Sequence, residues 1–245
     1  MEKWMEVTLS IPPGYLNSPR KFREILAFTN GQADPQDQID SRIFHYTFNE
    51  NGKKVPIASI PMIRFGARAG KPQIYAIGDE SIEILNTEVS KIVRLMEQHY
   101  RVSIDEQRIT KPFRTGHKGT LASYWTPIMV FQGEPRQHKR FVDELQKNIA
   151  SEALFTFITE KITRSIERQC LALGFDPHEE GYVIGDVKIN GDILPIKVKD
   201  DIYALSAKDL SFRTSLDLTG GPWHIGHLSA KGYGRIYPGI PRGGE

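Results

Sequence analysis

The densest run of chemistry-bearing residues is Gly220-Gly221-Pro222-Trp223-His224-Ile225-Gly226-His227-Leu228-Ser229-Ala230-Lys231-Gly232-Tyr233-Gly234-Arg235-Ile236. Glycines without a Cβ let backbone N–H groups approach a phosphate, and Lys231 and Arg235 set two cations beside Gly226, Gly232 and Gly234. The tetrad Lys231-Gly232-Tyr233-Gly234 also matches the opening of the RNP1 pattern of RRM domains, with Arg235 where a stacking aromatic should follow. The alternative is a glycine-rich turn entering a last strand, and pattern alone leaves both open. A dinucleotide site does not fit, because no βαβ crossover follows these glycines.

Charge order supports a phosphate ligand where charge total does not. The 245 residues carry 32 Lys/Arg and 30 Asp/Glu, a net charge of +2. Three windows contain no acid: Asn51 to Gly78, Gln107 to Gly133 and Leu218 to Gly244. They hold five, four and three basic residues, which leaves 20 basic against 30 acidic residues elsewhere. Such segregation suits a folded protein with one face toward a polyanion. Phe65, Tyr75, Phe113, Tyr124, Trp125, Phe131, Trp223, Tyr233 and Tyr237 lie in the same windows. Interleaved basic and aromatic groups suit phosphate contact with base stacking, although the aromatics could equally be core.

The elements that must position these residues follow from apolar spacing. Trp4, Val7, Leu9 and Ile11 suggest a strand closed by Pro12-Pro13-Gly14. Ser18-Pro19 predicts an N-cap with proline in the first turn, and Phe22, Ile25 and Leu26 give the helix its stripe, with Arg20 and Arg23 off it. Ser41 to Phe48 predicts a strand, Asn49-Glu50-Asn51-Gly52 a hairpin turn, and Val55 to Phe65 the returning strand. Asp79 to Gln98 has helical spacing, and Tyr100 to Ile109 a strand. The order βαββαβ is that of a ferredoxin-like unit. A basic loop, Lys111 to Lys118, leads to a strand from Leu121 to Phe131 and a helical tract from about His138 to Leu173. Its stripe is Phe141, Leu145, Ile149, Leu154, Ile158, Ile162 and Ile166, continued by Cys170. Strand-like runs follow at Tyr182 to Ile189, Ile193 to Val198, Ile202 to Leu205 and Leu210 to Leu218. The expectation is an α+β protein of tandem ferredoxin-like (RRM-like) domains, residues 1–118 and 119–245, the second irregular and ending in the glycine-rich loop.

At 39% hydrophobic and 25% charged residues, the composition excludes disorder as the default. A single cysteine, Cys170, forms no intrachain disulfide or Cys-rich zinc site and reads as a buried, inert thiol. With no leader-like start and no apolar run of membrane-spanning length, a cytoplasmic protein is expected. His224 and His227 could offer two metal ligands, but no cysteine or third histidine lies nearby, so a loop or contact role is favoured. The pairs Glu179-Glu180 and Asp200-Asp201 read as solvated turn charges. No cofactor motif is present: neither a Walker A loop nor a nucleophile elbow occurs.

The tail, with its glycines, Ser229, Lys231 and Gly232-Tyr233-Gly234-Arg235-Ile236, resembles the C-terminal glycine-rich loop of the CRISPR-associated repeat-processing endoribonucleases of the Cas-six type. Thr126-Pro127-Ile128-Met129-Val130 is similar to the strand opening that family's second half, and Phe141 to Ile149 to the helix after it. The resemblance implies two ferredoxin-like domains and metal-independent cleavage of precursor crRNA in the repeat hairpin. A ribose 2′-hydroxyl would attack the neighbouring phosphate, giving a 2′,3′-cyclic phosphate, with the mature guide RNA staying bound in an effector complex with other subunits. Related non-catalytic backbone subunits share the fold, which is the alternative function.

The chemistry requires a base, a cation for the phosphorane and an acid. Family histidines lie in or just after the first helix, whereas this chain has none before His45. His45 is therefore the candidate base or acid, and a satisfied strand histidine is its alternative reading. Arg23 and Arg42 could hold the scissile phosphate without it, as in divergent type IV members; arginine cannot readily deprotonate the hydroxyl. Arg64, Arg68, Lys111, Arg114, Lys118, Lys231, Arg235 and Arg242 are the expected RNA phosphate contacts, together with Gly226, Gly232 and Gly234.

Overall fold

The computed structural model describes residues 2–11, 18–57, 59–68, 70–131, 143–144, 152–178, 181–199 and 202–240. The chain divides into two compact units: residues 1–113 with Ser229–Gly232, and residues 114–228 with 233–245. The short turn carrying Lys231 thus belongs to the first unit, although it is far away in sequence.

In the first unit, β1 (Lys3–Ser10) buries every second residue, Met5, Val7 and Leu9, against the helices. Trp4 has the opposite parity and meets Tyr75 on the other face, with ring centroids 6.2 Å apart. Helix α1 (Pro19–Gln32) starts as expected: Ser18 Oγ accepts from Lys21 N at 3.1 Å and proline occupies the first turn. Phe22 and Leu26 are fully buried with Ile25 packed beside them, and each such side chain contributes about 1.5–3 kcal/mol. Past the helix, buried Asn30 accepts from Ile39 N at 2.6 Å and fixes the returning chain.

That return is not the expected strand. Ser41–Phe44 is a 3-10 turn, because Asp40 Oδ1 accepts from Arg42 N at 2.8 Å and caps it. Only Tyr46–Phe48 (β2) is extended, pairing with Lys54–Pro56 (β3) in a separate two-stranded hairpin. The main sheet takes its second and third strands from β4 (Ile63–Arg68) and β5 (Lys71–Ile77). Sequence reading missed β5, because Gly70 and Pro72 punctuate a run that proves buried from Pro72 to Ile77. Helix α2 (Asp79–Tyr100) buries Leu85, Val89, Ile92, Leu95 and Met96. It continues through Tyr100 and ends at Arg101, so the last strand, β6 (Asp105–Pro112), begins later than expected. The sheet is antiparallel throughout, in the order β4-β5-β1-β6.

The second unit is built on the long antiparallel pair β7 (His117–Phe131) and β10 (Ile202–Leu216). The expected basic loop is shorter, residues 113–116, with Lys111 on β6 and Lys118 on β7. β10 replaces two expected strands: the Lys208-Asp209 interruption is absorbed in place, Asp209 taking a left-handed φ of 49°. β8 (Ile184–Ile189) and β9 (Ile193–Lys199) pair with β10, and β11 (Tyr237–Pro238) with β7. Helix α3 (Glu152–Ala172) buries Leu154, Ile158, Ile162, Ile166 and Cys170, as the periodicity predicts. Burial pushes the Cys170 thiol up to about 12, so it is inert at neutral pH. Phe141, Leu145 and Ile149, the Pro12-Pro13-Gly14 turn, and the pairs at 179–180 and 200–201 lie outside the described residues. Among the described residues, no helix is long and apolar enough to cross a membrane.

Candidate active site and phosphate contacts

The polar face of α1 carries Arg20, Arg23 and Glu24. Arg20 Nε donates to Glu24 Oε1 at 2.7 Å, one turn along. Arg23 Nη2 donates to the Phe44 carbonyl at 2.7 Å, and its guanidinium carbon lies 5.8 Å from the Phe44 ring centre. Arg23 therefore ties the helix to the 3-10 turn that ends at His45. His45 closes that turn in the left-handed region, φ 59° and ψ 42°, a backbone state costing a non-glycine residue about 1–2 kcal/mol. Its N–H donates to the Arg42 carbonyl at 3.0 Å and its own carbonyl accepts from Ile57 N at 3.3 Å. Burial lowers the imidazole pKa, backbone hydrogen bonding at Ser59 opposes this, and the charges of Arg23 and Arg64 lower it further. The ring is thus neutral at pH 7, able to accept a proton.

A third segment joins this place. The 3-10 turn Ser229–Lys231 packs on β4 and α1. It is followed by Gly232 at φ 87°, where a Cβ would lie 2.3 Å from Pro19 Cβ and 2.7 Å from the Phe65 carbonyl oxygen. Only glycine permits that approach. The Lys231 ammonium pKa is drawn down by burial and then by Arg23 and Arg20, with Glu24 opposing. Arg64, 1% exposed on β4, donates from Nε to the Pro61 carbonyl at 2.7 Å, and its charge acts on His45. Arg20, Arg23, His45, Arg64 and Lys231 form one electrostatic neighbourhood, which the Glu24 carboxylate also joins. Such a group offers positive charge to an anion beside a neutral imidazole.

Of the three residues that sequence reading singles out for catalysis, Arg23 and His45 are brought together here. His45 follows the turn rather than sitting within a strand. Arg42 is turned to carboxylates: its Nη2 lies 2.6 Å from Asp40 Oδ2 and its Nη1 3.4 Å from Glu80 Oε1, and the Asp40 hydrogen bond raises its pKa. Arg20 was visible only as an off-stripe helix residue. Its spacing of three from Arg23 and four from Glu24 was the available signal.

A family model of the type IV CRISPR-associated endonuclease Csf5 matches residues 2–241. The chain belongs to this family. The fold agrees: a solved structure described as "Csf5, CRISPR-Cas type IV Cas6 crRNA endonuclease" aligns over 97% of this chain and 99% of its own, with TM-score 0.68 and 17% identity. "Crystal structure of Cas6b" aligns over 98% and 100%, with TM-score 0.62 and 16% identity. No match was found among curated proteins.

The remaining contacts expected of this CRISPR endonuclease family member are distributed over both units. In the first, Arg68 ends β4 exposed and Lys111 lies over Trp4, 5.6 Å from the ring centre. In the second, exposed Arg114 donates its N–H to the Gly220 carbonyl at 3.2 Å, and Lys118 Nζ lies 3.3 Å from Asp217. Gly226 lies against the Val130 carbonyl, and Gly234 against that of Ile225, where a Cβ would come within 1.8 Å. Arg235 lies 5.8 Å from the Tyr237 ring centre. Arg242 lies outside the described residues. Residues 231–234 form a turn, whereas an RNP1 sequence occupies a strand. His224 is buried and its Nδ1 lies 2.9 Å from the Pro222 carbonyl, while its backbone binds the Gln169 amide in both directions. Among the described residues, no group of three or more His, Cys, Asp or Glu could hold a metal.

Proposed function

We propose that the chain is a metal-independent endoribonuclease that binds the CRISPR repeat hairpin and cuts precursor crRNA to mature guide RNA. The observation carrying this is a set of cations joined at Arg23: Arg23 and Arg64 act on neutral His45, and Arg20 and Lys231 neighbour Arg23. His45 takes the proton of the ribose 2′-hydroxyl as that oxygen attacks the adjacent phosphorus. Arg23 and Lys231 bear the phosphorane charge. The bond from phosphorus to the 5′-oxygen then breaks, leaving a 2′,3′-cyclic phosphate. The leaving oxygen takes a proton from Lys231, whose depressed pKa suits it to give one up. Arg42 acts as a peripheral phosphate contact, its charge shared with Asp40 and Glu80.

The antiparallel order β4-β5-β1-β6, with a helix before β4 and another after β5, supports a ferredoxin-like N-terminal domain, ending at residue 113 ahead of β7 rather than at 118. The C-terminal domain, from residue 114, is an irregular second copy carrying the glycine-rich loop apart from its Ser229–Gly232 turn, which belongs to the first. Arg68, Lys111, Arg114, Lys118, Arg235 and Arg242 hold the RNA backbone, whereas buried Arg64 acts only through its charge on His45, and the product stays bound within an effector complex in the cytoplasm. Purified protein incubated with repeat RNA in EDTA should give a single cut with a cyclic-phosphate end. Tight binding with no cut would refute the enzyme and leave a non-catalytic RNA-binding subunit.

A further inference from the structure

Five aromatic rings run as a ladder from the core of the first unit to its surface. Phe22 meets Phe65 edge-on with centroids 5.4 Å apart, and Phe65 stacks on Phe44 at 6.2 Å. Phe44 stacks on Tyr46 at 5.9 Å, and Tyr46 meets Phe48 edge-on at 5.6 Å. Phe22, Phe65 and Phe44 are buried, whereas Phe48 is 56% exposed. The ladder passes the proposed active site, because Phe44 lies under the Arg23 guanidinium and His45 stands between Phe44 and Tyr46.

Phe48 is exposed on a hairpin whose shape is closely determined. Asn49 Oδ1 accepts from Asn51 N at 3.1 Å and Lys53 N at 2.8 Å, and the Asn49 carbonyl accepts from Gly52 N at 2.8 Å. Phe48 pairs with Lys54 in the strand register, which puts both on one face with Tyr46. Lys54 Nζ sits 3.6 Å from the Tyr46 ring centre. Neither Lys53 nor Lys54 makes an ion pair among the described residues. A solitary exposed phenylalanine is unremarkable. One set on a defined hairpin with Lys54 directly opposite and Lys53 next to that in sequence, three residues from the general base, has the composition of a stacking platform for a nucleobase with cations for its phosphate.

We propose that Phe48 stacks on an unpaired base of the RNA next to the cut phosphate, with Lys53 and Lys54 contacting the flanking backbone. Three strand residues span about 10 Å, so the base stacked is a close neighbour of the one bearing the attacking hydroxyl. This rests on the reading of His45 as the site of cleavage.

The test measures repeat-RNA affinity for the full chain as wild type, Phe48→Ala and Phe48→Trp. Intact RNA is compared with RNAs carrying one abasic residue at each unpaired position flanking the cut. Phe48→Ala should weaken binding of intact RNA about 5- to 150-fold, the range for loss of one aromatic–base stack, and Phe48→Trp should retain it. At one abasic position the wild type should lose affinity and the difference between wild type and Phe48→Ala should vanish. Phe48→Ala within twofold of a wild type that binds and cuts overturns the platform, whether or not the variant also loses a protein partner. A wild type that does not bind repeat RNA overturns instead the function on which it rests.

Discussion

Replacing Gly232 by alanine tests whether Lys231 is held in place by a backbone approach that only glycine allows. The added Cβ would lie 2.3 Å from Pro19 Cβ and 2.7 Å from the Phe65 carbonyl oxygen, at φ 87°. Gly70 is the matched control in the same unit: φ is 75°, but nothing lies within 4 Å of its missing Cβ. Left-handed strain costs about 1–2 kcal/mol at either site. The clash at Gly232 adds about 1–3 kcal/mol, because Pro19 begins a capped helix and Phe65 sits in a paired strand. Gly232→Ala should therefore lose about 2–5 kcal/mol in urea denaturation, or relieve the clash by lifting the turn off α1. In either case cleavage of repeat RNA should fall at least about tenfold, as Lys231 is displaced from the phosphate. Gly70→Ala should lose about 1–2 kcal/mol and cut normally. Equal stability and equal cutting in the two variants would refute the account of why this glycine is there.

Arg23→Ala should slow cleavage about 100- to 1000-fold, the usual effect of removing one transition-state donor, whereas Arg42→Ala, already committed to two carboxylates, should cost less than about fivefold; single-turnover rates decide. His45 has a folded-state pKa below its ordinary 6.5, so between the two values the unfolded chain binds more protons than the folded one. Stability should therefore fall as pH drops through 6.5 until the folded-state value is passed, and His45→Gln should flatten that part of a urea-midpoint titration. Cutting by wild type should hold through that range and fall only as pH passes below the folded-state value, and wild-type cutting by His45→Ala would remove the histidine as base. The double variant Lys231→Ala/Arg235→Ala should weaken RNA binding and flatten the plot of log affinity against log salt by about 1.4 to 1.8, two phosphate contacts' worth.

Local sequence carried what depends on neighbours along the chain. The Ser18-Pro19 start of α1, the stripes of α2 and α3, the burial of Cys170 and the acid-free windows are all readable from spacing, because helix periodicity and capping involve residues three or four apart. The glycine-rich tail was enough to suggest the family. Errors fell where short-range signals compete. Asp40 caps a 3-10 turn where bulky residues suggest a strand, and Pro72 obscures β5, which pairs with both β1 and β4.

Only tertiary structure decided where the charges meet. Nothing in the spacing of Arg23, His45, Arg64 and Lys231 says that a helix, a turn, a strand and a segment from the far end of the chain share one place. That follows from Arg23 bonding the Phe44 carbonyl and from Gly232 admitting the backbone beside Pro19 and Phe65. Sequence determined that the basic residues are segregated, since charge order is a property of the chain. Which of them act on one imidazole, and which, like Lys118, are answered by a carboxylate far along the chain, is set by long-range packing that no local rule encodes.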